Sequence, residues 1–222
     1  MRSRKVSKHA KAWIFSLRDN DTDTPAITLN WFIGYKFFNS LFLGVSIGSV
    51  FVLYTPLSPA IFSAGGIGLA IGTLMVATQY HRLFNTRSFF ILSLSVECVI
   101  LLGIMGVLIF PVDTTLALFI YIGYQFTFAL GSYLVRCETL LIVEEKALTH
   151  LDIAKQSGYL VGMGAAWGFY EGLHRVYGVT DKVIQVQAIH WPLLAIEAGI
   201  ILLLFMAFKS VWHPSGGAPS ES

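Results

Sequence analysis

The chain has 222 residues, of which 55% are hydrophobic and only 13% are charged. A soluble domain has roughly 25% charged residues, so this composition excludes a water-soluble globular protein and predicts an integral protein of the lipid bilayer. The formal net charge of +2 is too small to indicate a nucleic acid as a partner. Cys98 and Cys137 lie in apolar segments without a CxxC spacing, which indicates packing residues rather than a metal site or a disulfide.

Residues 1–24 form a basic segment whose apolar patch is too short for a signal peptide. Six basic residues surround that patch. Two interpretations fit this composition. The segment lies as an amphipathic element on the anionic cytoplasmic leaflet, or it is a disordered tail that only sets the topology.

Residues 25–209 contain six apolar stretches, each close to the ~20 residues that a transmembrane helix needs. In chain order, these predicted spans cover residues 25–54, 59–80, 88–110, 114–143, 152–173 and 189–209. Helix start signals support three of them: Thr24-Pro25, Ser58-Pro59 and Asp113. The predicted fold class is therefore all-α, a polytopic bundle of six transmembrane helices, in which short connections make consecutive helices neighbours.

The distribution of basic residues predicts the orientation. Most of them lie on the side of the N-terminus, whereas the opposite side has only Arg175 and Lys182. The positive-inside rule then places both termini in the cytoplasm of a cell whose plasma or inner membrane holds the protein. Residues 210–222 are predicted to be a flexible tail. The loop 175–190 is either a short interfacial helix or an extension of span six, kinked at Pro192.

Charged residues within the spans are the strongest indication of function, because a charge at the bilayer centre costs roughly 2.5–3.5 kcal/mol on insertion scales. Lys36, Glu97 and Arg136 are predicted at one depth, in the cytoplasmic half of the membrane. Either they meet in a common cavity, or Glu97 ties two helices together in a buried ion pair. Two cations against one carboxylate favour an anionic solute.

A polar stripe runs along span four, where four side chains fall within an arc of about 60°. Glu138 is predicted on another face, near the cytoplasmic rim. On span one, Asn39 shares the face of Lys36. The predicted substrate-binding residues are Lys36, Asn39, Tyr121, Gln125, Ser132 and Arg136.

Glu171 and Glu197 lie nearer the outer side, and the sequence shows no Lys or Arg at their depth. A buried carboxyl without a basic partner can carry protons. We therefore predict Glu97, Glu171 and Glu197 as ion-pair or proton-coupling residues. The alternative for the outer two is a pair of neutral carboxyls that are hydrogen-bonded to neighbouring helices.

Glycines at four-residue spacing form two faces on span five, Gly158/Gly162 and Gly164/Gly168/Gly172. Such faces let helix backbones approach closely, and they also allow helices to slide. Glu171 lies beside the second face and is therefore predicted to face protein. The sequence contains no P-loop, HExxH or GxSxG motif. No enzyme, catalytic residue, metal site or cofactor is predicted.

The loop after span two reads QYHRLFNTR over residues 79–87. Arg82 and Arg87 match basic positions of the pattern Gly-x-x-x-Asp-Arg-x-Gly-Arg-Arg, with His81 in place of its acid. With six spans, cytoplasmic termini and a glycine-rich fifth span, the chain resembles one half of a major facilitator superfamily (MFS) transporter. Arg136 loosely resembles the arginine of that family's span four.

Members of that family have two such halves, so the resemblance implies a homodimer, or a heterodimer with a second six-helix half or another membrane subunit. The predicted function is a membrane transporter that moves a small solute by alternating access. The alternative is a non-transporting membrane subunit or scaffold of a larger complex.

Overall fold

The computed structural model describes residues 27–142 and 144–212, and every regular element in them is a helix. In chain order the helices are α1 (Leu29–Leu53), α2 (Pro59–Thr78), α3 (Tyr80–Leu83), α4 (Thr86–Ile109), α5 (Thr114–Leu141), α6 (Glu145–Arg175), α7 (Lys182–Ala207) and α8 (Lys209–Trp212). The predicted basic segment 1–24 lies outside the described residues, as does most of the predicted tail.

Five helices, α1, α2, α4, α5 and α7, are long and apolar enough to cross a membrane. The all-helical prediction is confirmed for the described residues, and the structure is compatible with a polytopic membrane protein. Helix α6 corresponds to the predicted fifth span and has 31 residues, yet it is not one of the five. Its glycines and polar aromatic residues make it less apolar than the others.

Local capping explains where the helices begin. The Asp113 side chain accepts a hydrogen bond from the Leu116 N–H at 2.8 Å, and Pro59 occupies the first turn of α2, as predicted. Asn85 caps α4 in the same way, so this helix begins two residues before the predicted position 88. The predicted start at Thr24-Pro25 lies outside the described residues.

The last two long helices both begin earlier than predicted. Helix α6 begins at Glu145 rather than at residue 152, so Asp152 lies inside the helix and does not cap it. Helix α7 begins at Lys182, where Asp181 accepts hydrogen bonds from two backbone N–H groups. The segment before Pro192 is therefore an extension of span six, and Pro192 lies inside the helix.

The long helices pack in the order α6, α1, α7, α4, α5, α2. The prediction that consecutive helices are neighbours is right for α4 and α5, but α1 and α2 do not pack extensively. Helix α2 is held by α5 instead. The Tyr121 hydroxyl donates to the Phe62 carbonyl at 3.1 Å, and its ring occupies the space where a Cβ at Gly65 would stand.

The core is densest where α1, α4 and the end of α7 meet. Phe208 lies 5.4–5.9 Å, centroid to centroid, from the rings of Phe32, Phe89 and Phe90, and all four side chains are buried. The Thr28 N–H donates to the Ala207 carbonyl at 3.0 Å. The beginning of α1 and the end of α7 are thus fixed to each other.

Only one of the two glycine faces on α6 makes a close helix contact. A Cβ at Gly158 or Gly162 would overlap the backbone carbonyls of Phe37 and Leu41 on α1. The same helix pair brings Gly44 against the backbone of α6. At Gly164, a Cβ would meet no described atom within 4 Å, and the same holds at the other two glycines of that face. The second face is therefore open.

We predict that Gly162→Ala destabilises the protein, whereas Gly164→Ala does not. The added methyl group at 162 would force α1 and α6 apart, at a cost of about 1–3 kcal/mol, typical of overpacking. At 164 the space is open, and alanine is the better helix former by about 1 kcal/mol. Thermal unfolding of both variants in detergent measures the difference. Equal melting temperatures would contradict this packing.

Candidate functional site

Glu138, near the end of α5, forms ion pairs with two lysines from two other helices. Its Oε2 atom lies 2.7 Å from Lys36 Nζ on α1, and Oε1 contacts Lys155 Nζ on α6. The Glu138 side chain is only 4% exposed, so this triad is an internal feature of the bundle. Glu138 lies on a different face from the exposed Arg136, as predicted, but it is buried between helices and not exposed at a rim. Because α6 begins at Glu145, Lys155 lies about three turns inside a packed helix.

Lys36 is enclosed by aromatic rings as well as by Glu138. Its Nζ atom lies 5.3 Å from the ring centroids of Phe32 and Tyr35 and 5.8 Å from that of Phe89. Cation–π attraction in such a site adds to the ion pair. The charge of Lys36 is therefore satisfied inside the protein.

Glu97, on α4, is fully buried and is bound by α1. Its Oε1 atom accepts hydrogen bonds from the Tyr35 hydroxyl at 2.6 Å and from the Asn39 amide at 3.1 Å. Its Oε2 atom has no hydrogen-bond partner among the described residues. Tyr35 was not predicted, although its spacing of four residues from Asn39 places both on one face of α1.

Arg136 does not join Lys36 and Glu97. It is exposed, and its guanidinium carbon lies 5.9 Å from the ring centroid of Tyr80 on α3. The three predicted members of a charged centre are therefore not brought together by the fold. Helical angle placed Arg136 correctly on the polar face of span four, but it could not show which helix that face meets.

The other predicted substrate-binding residues of α5 are also dispersed. Tyr121 is buried and donates to α2, whereas the Ser132 hydroxyl donates to the Ala129 carbonyl of its own helix at 3.4 Å. Gln125 is partly exposed. Of the predicted set, only Lys36 and Asn39 take part in the buried polar contacts around Glu97 and Glu138.

The two outer glutamates have different environments. Glu171 is about one-third exposed and forms an ion pair with Arg175, four residues later on α6. The sequence reading missed this partner because it assigned Arg175 to a loop. Glu197 is fully buried, and neither of its carboxyl oxygens has a hydrogen-bond partner among the described residues.

Glu197 belongs with Glu97 rather than with Glu171. Helices α4 and α7 pack against each other, and the two carboxyl groups are close enough to interact electrostatically. Since α7 begins at Lys182, seven residues before the predicted start, Glu197 lies well inside the helix and not near its outer end. The outer pair predicted from the sequence is therefore replaced by a buried pair on α4 and α7.

A cavity of about 370 Å³ lies between α1, α4, α5 and α7. Its wall is mainly apolar, and its polar lining residues are Ser46, Ser49, Tyr124, Thr127 and His190. The hydroxyl groups of both serines and of Thr127 donate to carbonyls of their own helices. None of the six predicted substrate-binding residues lines this cavity.

We predict that Glu138→Gln strongly destabilises the protein, because it leaves Lys36 without a carboxylate and Lys155 with only the exposed Asp152. Breaking a buried ion pair by removing one partner costs about 3–5 kcal/mol. The control is Glu171→Gln, which removes a partly exposed pair on one helix and should cost within about 1 kcal/mol. Thermal unfolding in detergent compares them, and a similar loss in both would contradict a structural role for the triad.

Among the described residues, no group of three or more His, Cys, Asp or Glu side chains is arranged to hold a metal ion. We find no matching family model, no similar curated protein and no similar solved structure. The function is therefore inferred from the residues and from their packing.

Proposed function

We propose that the chain is one half of a membrane transporter, which works with a second six-helix half and moves a small solute by alternating access. The observation that carries this proposal is the order in which the helices pack. The polar stripe on α5 and the open faces of α2 and α6 add to it.

The five extensive contacts between long helices map onto one another when the first three long helices are exchanged with the last three, whereas the small contact of α6 with α7 has no such counterpart. The exchange replaces α1, α2 and α4 by α5, α6 and α7. The contact of α1 with α6 then becomes that of α5 with α2, and the contact of α1 with α7 becomes that of α5 with α4. The contact of α4 with α7 maps onto itself.

Such a pattern is what two three-helix repeats of inverted topology would produce. Three spans per repeat start the second repeat on the opposite side of the membrane, and transporter halves of the MFS type are built in this way. In the proposal α6 also crosses the membrane and brings the number of spans to six. Its equivalent under the exchange is α2, which is long and apolar enough to cross. Both termini then lie on one side, and the basic residues favour the cytoplasm.

The polar stripe of α5 supports a pathway on the side of the bundle that a second half would cover. Arg136 is exposed, and Gln125 and Ser132 are partly exposed. Against lipid these groups would be costly, whereas a water-filled pathway would solvate them. An anionic solute is less strongly favoured than the sequence suggested, because Lys36 is already paired with Glu138.

The proposed partner is a second copy of the chain, docked on α2 and α6. These helices stand at the two ends of the packing order, and none of the residues of α2 is fully buried. Gly68 on α2 and Gly164 on α6 have open space at their Cβ positions. Small exposed residues of this kind allow close contact between membrane helices.

A scaffold without transport activity remains the second candidate, and one observation favours it. The buried ion pairs of Glu138 join α1, α5 and α6, and the cavity has an apolar wall. A subunit that only supports a larger membrane complex would need such ion pairs to hold its helices together, but it would need no aqueous pathway. The following experiment separates the two candidates without knowledge of the solute.

We predict that a membrane-impermeant maleimide labels the Gln125→Cys thiol in intact membrane vesicles, because a pathway exposes it to water. Cys98 is an internal control, since it is exposed on α4, outside the proposed pathway. Mass spectrometry should show labelling of the introduced thiol at least severalfold faster than that of Cys98. Equal and slow labelling of both thiols would contradict a pathway and support the scaffold.

We predict that Gly68→Cys combined with Gly164→Cys gives a disulfide-linked dimer after mild oxidation in native membranes. Both positions lie near mid-depth on the faces that the proposed dimer brings together. The unmodified chain, which keeps Cys98 and Cys137, is the control and should give no disulfide-linked dimer. A doubly substituted chain that stays monomeric, or that links only to a protein of another mass, would contradict the homodimer.

A further inference from the structure

The buried charges of the bundle do not sum to zero unless one carboxyl group is protonated. Lys36 and Lys155 against Glu138 leave a charge of +1 inside the bundle, because Asp152, which also pairs with Lys155 at 3.5 Å, is largely exposed to solvent. Glu97 lies within electrostatic range of Lys36 and supplies one negative charge. Glu197 is then in excess, because no described Lys or Arg is paired with it.

Glu97 and Glu197 also have unsatisfied polar atoms. Both side chains are fully buried, and three of their four carboxyl oxygens lack a hydrogen-bond partner among the described residues. The Ser93 hydroxyl is 1% exposed and lies beside the Tyr35 hydroxyl. It has no hydrogen-bond partner of good geometry among the described residues. Buried polar atoms in this state are costly and call for a donor.

We propose that Glu97 and Glu197 form a proton-binding site that holds one exchangeable proton, which resides on Glu197 at rest. A protonated carboxyl group is a donor as well as an acceptor, so the proton supplies the hydrogen-bond donor that Glu197 lacks when it is ionised. No bond other than O–H is made or broken, and the proton comes from water.

The assignment of the proton to Glu197 follows from the groups that face each carboxyl. Glu97 receives two donors from α1, Tyr35 and Asn39, and lies within electrostatic range of Lys36, all of which stabilise its ionised form. The groups that reach Glu197 electrostatically are Glu97, Tyr35 and, from α5, Tyr124. None of these stabilises a second carboxylate.

The location suits this site for a role in coupling. Glu97 lies near the middle of α4 and Glu197 lies well inside α7, the two helices that exchange with each other in the proposed repeat. A movement of α1 would carry Tyr35, Lys36 and Asn39 away from Glu97 together. The coupling role rests on the proposed transport function, but the presence of the proton does not.

Infrared spectroscopy of the purified chain in lipid vesicles tests the site, because a protonated carboxyl has its own carbonyl band. Carbon-13 labelling of glutamate identifies the band as glutamate. At neutral pH we expect one buried protonated glutamate per chain, with a band that shifts in D₂O. Two such bands, no band, or a band that does not exchange would overturn the proposal. This readout requires no transport, so it fails independently of the proposed function.

Two substitutions distinguish a shared proton from an inert buried acid. Glu197→Gln should abolish the band. Glu97→Gln should also abolish it, because the substitution removes the negative charge that faces Glu197 and puts an amide donor in its place, both of which favour the ionised form of Glu197. A band that persists in Glu97→Gln would show that Glu197 is neutral regardless of its neighbour and would overturn the sharing. Glu171→Gln is the control and should leave the band unchanged.

Discussion

A carboxylate held between two lysines is the interaction on which the arrangement of this bundle depends. Glu138 on α5 pairs with Lys36 on α1 and with Lys155 on α6. Among the described residues, no other ion pair joins α5 to either of these helices. Charges in a low-dielectric interior are tolerated only when they are paired, and separating such a pair is expensive. The triad therefore helps to fix how α5 and α6 are positioned relative to α1.

The triad also determines the environment of the remaining buried acids. Glu138 is shared by Lys36 and Lys155, and the second carboxylate near Lys155, Asp152, is largely exposed, so one positive charge inside the bundle is left to face Glu97. Glu97 in turn is bound by Tyr35 and Asn39. Glu197 has no such support. A single proton on the α4–α7 pair completes the balance, so the stability of the bundle and the proposed coupling site share one set of charges.

Much of the fold was predictable from local chemistry. Asp113 and Ser58-Pro59 marked helix starts correctly, because capping depends only on neighbouring residues. The site was less predictable. Helical angle and depth placed Arg136 and Glu97 at one level, but they could not show that α1 packs on α6 and α7 rather than on α2. Lys155 stood at the very beginning of the predicted fifth span, and the early start of α6 places it about three turns inside the helix, where it pairs with Glu138. The same helix extends to Arg175, which pairs with Glu171.

A double-mutant cycle between Lys36 and Glu138 tests the central claim most directly. The stability of Lys36→Gln, Glu138→Gln and the double variant is measured by unfolding in detergent. The account predicts that the double variant loses less stability than the sum of the single variants, with a coupling of about 0.5–3 kcal/mol. The same cycle for Arg136 and Glu97 should be additive. Additive effects for Lys36 and Glu138 would contradict the account.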